Sequence, residues 1–425
     1  MRLMSDDNGD PNDPFGGLPF FANMGDMAGL FGGLGGGGGD PWAQARQIAG
    51  SVATGGETEP NVDPADRIAF EQLARVAELQ VNSVSGLRVS ESTPPLIRPA
   101  TRHEYALATL DAWRPLLEAM GDAMTQAMSA GGDDVVLPAE LEATGLPFGA
   151  DFMSQIMKMM GPMMLSMTAG SMVGHLARVK LGSYDLPLPR HAQTELLVVH
   201  SNIEAFAEEW SVPIDDMRLW MCLHEYLHHA VLRLPHVQQR VADLTRAYVS
   251  AFESNPNALQ DKLGGFDLSN PESMGDVQGL MGDPEALMGV MQSDRQRAML
   301  PEISAVLSAI VGWVDHMMDR IGVTLIGSYS MLTEALRRRR VSADQTDRFL
   351  ERMLGLELDQ ACYDRGRSFV DGVVERGGDA ALARLWESDR ELPTPNEIVA
   401  PGLWLARIEL TELDAVPTTS PDEEE

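Results

Sequence analysis

Pro213 and Pro235 bracket the stretch that most restricts how this chain folds. Proline suits the first turn of a helix, where its missing N–H is not needed, and it stops a helix that runs into it. Asp215 and Asp216 fall in the first turn, where the helix dipole favours acids. The spacing predicts a helix from Pro213 to about Leu234, carrying "MCLHEYLHHA" at 221–230. Apolar residues recur at three- and four-residue intervals in "PADRIAFEQLARVAELQVNSV" (64–84). Further helices are expected at 102–128, 236–252, 295–321, 330–340, 342–354 and 359–376. The most strand-like run is Glu195 to His200, with a short helix after it at 201–210 capped by Ser201. The chain reads as mainly α with little β-sheet.

Composition divides the chain further. Residues 1–40 end in "GLFGGLGGGGGD" and form a Gly-, Asp- and Phe-rich leader with too few branched apolar residues to build a core. Residues 41–180 read as a helical N-terminal region that includes a loop at 130–149 and a Met-rich hairpin at 152–177 turning at Pro162. That hairpin contains the small-residue spacing Ser166, Gly170 and Gly174. Lys158 and Pro162 interrupt its apolar run, so no membrane span is expected. A second domain follows over 181–405, with a mobile insertion at 254–293 rich in Asn, Gly, Pro, Asp and Met, and then an acidic tail at 406–425.

The formal net charge of -31 repels nucleic acid and anionic lipid, which excludes both as expected partners. Only Cys222 and Cys362 are present, so there is no disulfide framework, and no secretory signal is visible at the N-terminus. A cytoplasmic setting is expected. The "RRRR" run at 337–340 is read as pairing with acids in the same chain. The chain has no phosphate-binding loop and no Gly-x-Ser-x-Gly elbow, which leaves nucleotide and serine-hydrolase chemistry without support.

The chemistry lies in the 213–234 helix. Residues four apart share a helix face, so His224 and His228 can present two imidazoles to one metal ion. Glu225 can then reach a water as general base, the His-Glu-x-x-His logic of zinc hydrolysis. The alternative for the same residues is an exposed His-rich face with a solvated Glu225. Zinc also needs a third protein ligand. The local source is "IVGWVDHMMDRIG" (310–322), where Asp315 and His316 are the candidates. Asp315 and Asp319 read equally well as surface groups on a helix whose Trp313, Met317 and Ile321 face the core.

Beyond these residues, the chain resembles a family of actinobacterial zincin-like proteins, zinc-dependent metallopeptidases or hydrolases of gluzincin style. The resemblance runs over about 38–405. It rests on "DPWAQARQIA", "NIEAFAEEWSVPIDDMRLWMCLHEYLHH", "VGWVDHMMDRIG", "RFLERMLGLELDQACYDRGRSFVDGVVERGG" and "LPTPNEIV" in that order. It implies a zincin-like fold, a Zn2+ cofactor, His224 and His228 as ligands and Glu225 as base. It also implies a downstream Glu-Gly-x-x-Asp in which the Glu binds metal and the Asp orients a histidine. Here Gly312 and Asp315 match, while Val311 stands at the Glu position and cannot bind zinc. Asp315 is therefore expected as third ligand or as a partner of His224, and His316 as the alternative ligand. The expected function is amide-bond hydrolysis of a peptide or protein substrate. The competing expectation is a catalytically silent zincin scaffold acting as a binding module. The Met-rich segment is then the candidate surface for a protein partner or for a homo-oligomer.

Overall fold

The computed structural model of the protein describes residues 40–130, 150–190, 195–252, 292–342 and 345–415. Residues 1–39 of the expected leader, 131–149 of the expected 130–149 loop, nearly all of the 254–293 insertion and the last ten residues of the acidic tail lie outside these ranges. Thirteen helices and one two-stranded sheet make up the described residues, the mainly α architecture that the patterning predicts.

Five elements lead to the site. Helix α1 (Pro41–Thr54) and α2 (Pro64–Val84) both start on proline, and each is capped by an aspartate, Asp40 or Asp63, that accepts from a first-turn N–H. Strand β1 (Leu96–Ala100) then leads into α3 (Arg102–Ala112) and α4 (Arg114–Ala130). One helix was expected over 102–128. The break comes at Trp113 because Pro115 has no N–H to continue the ladder.

The 152–177 region differs from expectation in a second way. It forms no hairpin: α5 is one helix over Ala150–Val179 that runs through Pro162. A proline removes one hydrogen bond and kinks a helix without always ending it, and packing along the helix can outweigh that loss. The small-residue spacing serves this packing. A Cβ at Gly170 would collide with the Ala45 carbonyl and Ile48, and one at Gly174 with the Ala49 carbonyl and Val52. Ser166 Oγ donates to the Pro41 carbonyl across 2.7 Å. The stripe is thus the seat of α1.

Strand β2 (Glu195–Val199) pairs in parallel with β1, Leu96 opposite Glu195 through Ala100 opposite Val199. On its other side, residues 181–183 lie antiparallel to it through a Gly182–Val198 bridge. The chain continues into α6 (His200–Glu209), which begins one residue before the expected cap; Ser201 instead donates to Glu59. Helix α7 (Ile214–Leu232) follows, and every residue from Leu219 to His228 is buried. It is a central helix, packed against α2 and the later α9.

The remainder is α8 (Pro235–Val249), α9 (Asp294–Leu325), α10 (Tyr329–Val341), α11 (Gln345–Met353), α12 (Gln360–Ala383) and α13 (Pro401–Ala415). Among the described residues, α9 is the one helix long and apolar enough to cross a membrane, and most of its apolar window is buried within the protein. It crosses α12 at a glycine pair, where a Cβ on Gly312 would collide with the Gly366 backbone.

Candidate metal centre

The motif residues lie side by side on α7, and all three are buried. The His224 ring stacks on Trp220 one turn earlier, with centroids 4.8 Å apart, and its centroid lies 4.3 Å from that of His228. His228 directs Nδ1 to the His224 carbonyl at 3.0 Å. A carbonyl can only accept, so Nδ1 carries the hydrogen and Nε2 of the neutral ring keeps its lone pair. Burial, followed by the neighbouring His224, holds the His228 pKa well below the ordinary histidine value, so the ring is neutral and suited to a metal.

Glu225 is fully buried. The segment Leu181–Asp185 wraps its carboxylate. The Tyr184 N–H donates to Oε1 across 3.1 Å, and Gly182 leaves the space that a Cβ would take from it. Burial raises the Glu225 pKa above the carboxylate range, opposed by the adjacent His224 and the Tyr184 N–H. His224 Nδ1 lies 3.7 Å from Oε1, beyond a hydrogen bond. His224 Nδ1 and Glu225 Oε2 are both buried without a hydrogen-bond partner.

Sequence reasoning passed over one residue here. Asp185, His224 and Glu225 each offer a ligand atom, and these atoms lie within 4.8 Å of one another. Asp185 follows a Gly-Ser-Tyr turn far upstream of the motif, and no spacing rule connects it to α7. The segment that carries it is tied down on all sides. The Tyr105 hydroxyl donates to the Gly182 carbonyl at 3.1 Å, Ser183 N–H to the Leu197 carbonyl at 2.9 Å, and Leu181 N–H to Asp185 Oδ2 at 2.7 Å.

The α9 candidates lie elsewhere. Val311 is buried in the core. Asp315 pairs with Arg340 of α10 at 3.3 and 3.4 Å, and that guanidinium sits 3.9 Å over the Tyr363 ring. His316 lies among Arg320, Asp319, Asp371 and Asp379, and burial followed by Arg320 lowers its pKa. It belongs to no potential metal cluster among the described residues. Asp319 accepts from the Tyr329 hydroxyl at 2.8 Å. All four arginines of the 337–340 run meet acids of this chain. Arg337 and Arg338 pair with Glu334, Arg339 approaches Asp185 at 3.8 Å, and Arg340 holds Asp315.

A cleft of about 500 Å³ reaches this group, with Asp185, Trp220, His224, Arg339, Arg340 and Tyr363 in its wall. Glu225 and His228 are not in the lining. A second cluster, His200 with Asp66 and Glu204, is an ion-pair group: each ring nitrogen faces a carboxylate, at 3.0 and 3.3 Å, and Arg218 also holds Asp66. Cys222 and Cys362 are buried, and burial pushes both thiols up, so neither is poised as a nucleophile.

A family model for zincin-like metallopeptidases matches residues 41–405. The chain belongs to this zincin-like metallopeptidase family. Among solved structures it is similar to a protein of Chloroflexus aurantiacus described as "a putative hydrolase with a novel fold". The two share 22% identity at a TM-score of 0.56, over 87% of this chain and 98% of that one. The likeness is one of fold. No curated protein sequence matches the chain significantly. For this zincin-like chain, membership implies zinc binding in general.

Proposed function

We propose that the protein is a zinc-dependent hydrolase of peptide or protein amide bonds, with its centre at His224, Glu225 and His228. The observation that carries this reading is the pair of orphaned atoms, His224 Nδ1 and Glu225 Oε2, buried together beside Asp185. A buried polar atom without a partner costs about 1–3 kcal/mol, and a cation on the imidazole, with its water against Glu225 Oε2, would relieve that cost. The donor set of nitrogen and carboxylate oxygen fits zinc.

His224 and His228 would hold the ion, the second through the lone pair that its Nδ1–H bond to the His224 carbonyl preserves. When bound, zinc lowers the pKa of water and polarises a carbonyl. Glu225 accepts a proton from the attacking water and returns it to the leaving amine. Its raised pKa suits a group that must hold a proton between two steps. The Tyr184 N–H fixes its Oε1 while Oε2 stays available for the proton.

A second reading, a silent scaffold that binds a protein partner, is favoured by the core-buried Val311 and by the Asp315–Arg340 pair. Digestion of a quenched peptide library by zinc-loaded protein separates the two. Wild type is expected to cleave, and Glu225→Gln to lose about 100-fold or more while keeping its metal. Equal cleavage by both proteins would assign the activity to a contaminant and leave the binding reading.

A further inference from the structure

The geometry points to Asp185 as the third protein donor of the metal centre, in place of any residue of α9. This inference rests on the proposed reading that His224 and His228 hold a metal ion.

Three observations carry it. First, α9 brings no donor to this group: Val311 is aliphatic and buried, Asp315 is paired with Arg340, and His316, though its Nε2 is buried without a partner, lies among the acids of α9 and α12 and outside the His224 cluster. Second, Asp185 is in place. Its ligand atom lies within 4.8 Å of those of His224 and Glu225, near the span of about 4.4 Å that two donors with bonds of about 2.0–2.2 Å reach across one ion. Leu181 N–H occupies Asp185 Oδ2, and Oδ1 has no hydrogen-bond partner among the described residues. Asp185 also lines the cleft beside His224, so it faces the space from which substrate arrives.

Third, the local charge does not balance. Asp185, half-buried, and Glu225, fully buried, place two carboxyl groups beside the His224 imidazole. The nearest cation to Asp185, Arg339, stands off at 3.8 Å and also donates to the Val179 carbonyl. A divalent cation held by Asp185 and His224 would balance the Asp185 carboxylate and satisfy the orphaned His224 Nδ1, and a water on it would meet Glu225 Oε2.

The backbone explains how a residue so far from α7 in sequence holds this position. Residues 181–183 add to the β2 edge, and Tyr184 N–H ties the next residue to Glu225 itself. The same segment therefore positions Glu225 and presents Asp185.

The test is a zinc titration of the full-length, chelator-stripped protein against a chromophoric competitor, with cobalt absorption as a second readout. Asp185→Asn retains an oxygen acceptor for Leu181 N–H, so the turn is kept. Asp185→Glu retains the carboxylate. Asp315→Asn serves as the α9 control and His224→Ala as the loss-of-site control. Thermal melts accompany each variant. The expected result is binding at least about tenfold weaker in Asp185→Asn, partial recovery in Asp185→Glu, an altered cobalt spectrum, and wild-type affinity in Asp315→Asn. Wild-type zinc affinity in a folded Asp185→Asn protein overturns the assignment, as does a loss confined to Asp315→Asn. Wild-type protein that takes up no zinc overturns both the assignment and the proposed function. Weaker binding in Glu225→Gln than in wild type would make Glu225 a ligand alongside Asp185 and overturn its role as base alone.

Discussion

Tyr184 donates its main-chain N–H to Glu225 Oε1 across 3.1 Å, which joins the 181–185 segment to the middle of α7. Neither partner is at the surface, and the bond spans two parts of the chain that share no sequence pattern. The position of the proposed base is thus set by a backbone group outside its own helix.

Gly182 makes that approach possible, because a Cβ there would meet both the Glu225 carboxylate and the Met221 methyl group. Gly182→Ala should displace Glu225, lower hydrolysis at least tenfold and cost about 1–3 kcal/mol of stability. Kinetics and a denaturant melt check this together. An alanine variant with unchanged turnover would show that the carboxylate is held some other way.

The α9–α12 crossing should be still less tolerant. A Cβ on Gly312 would run into the Gly366 backbone, which cannot move aside as a side-chain tip can. Gly312→Ala should destabilise by about 3 kcal/mol or more, read by denaturant unfolding. A shift of only a few tenths would mean that the helices separate freely.

Glu397 anchors α13. It accepts from Arg407 Nε at 2.6 Å, Arg407 Nη2 at 3.0 Å and Thr394 N–H at 2.9 Å. Burial raises its pKa, but Arg407 and the Thr394 N–H more than offset that and leave it below 4.5. A depressed carboxylate pKa stabilises the fold fully above the unfolded value and loses that effect as pH falls through the folded one. Wild type should therefore lose stability below about pH 4.5, and Glu397→Gln should be less stable by about 2 kcal/mol at neutral pH with a flatter acid limb. Parallel acid limbs in the two proteins would contradict this.

His316 has a depressed pKa, with burial the main cause and Arg320 next, against the opposing effect of Asp371, Asp379 and Asp319. The stability tied to its neutral form is complete above about pH 6.5 and falls as acid protonates it. Its ring resonances should titrate below 6.5 by NMR, with the same midpoint before and after zinc is added. A midpoint that moves on zinc addition would place His316 at the metal.

The legible part of this molecule was local. Pro213, Asp215, Asp216 and Pro235 delimit α7, and the three motif residues share its face, so both the helix and the chemistry could be read from one segment. The 337–340 arginines met acids of their own chain for the same local reason, since Glu334 lies within one turn of two of them. What sequence did not reveal depends on contacts made at a distance. Strand β1 is only five residues long and contains Pro99, so it carries little pattern of its own until β2 pairs with it. The α5 segment looked like a hairpin because Pro162 and the glycines suggest a break; the glycines instead mark where α1 lies against it. Asp185 belongs to a five-residue turn whose position depends on β2, Tyr105 and Glu225, none of them its neighbours in sequence.

The central claim is that His224 and His228 hold a zinc ion beside Glu225, and the zinc content of the purified full-length chain tests it most directly. Expressed with ample zinc and purified without chelator, wild type should carry about one zinc per chain, and His224→Ala and His228→Ala almost none. Wild-type protein that folds, contains no zinc and binds none on titration would contradict the account.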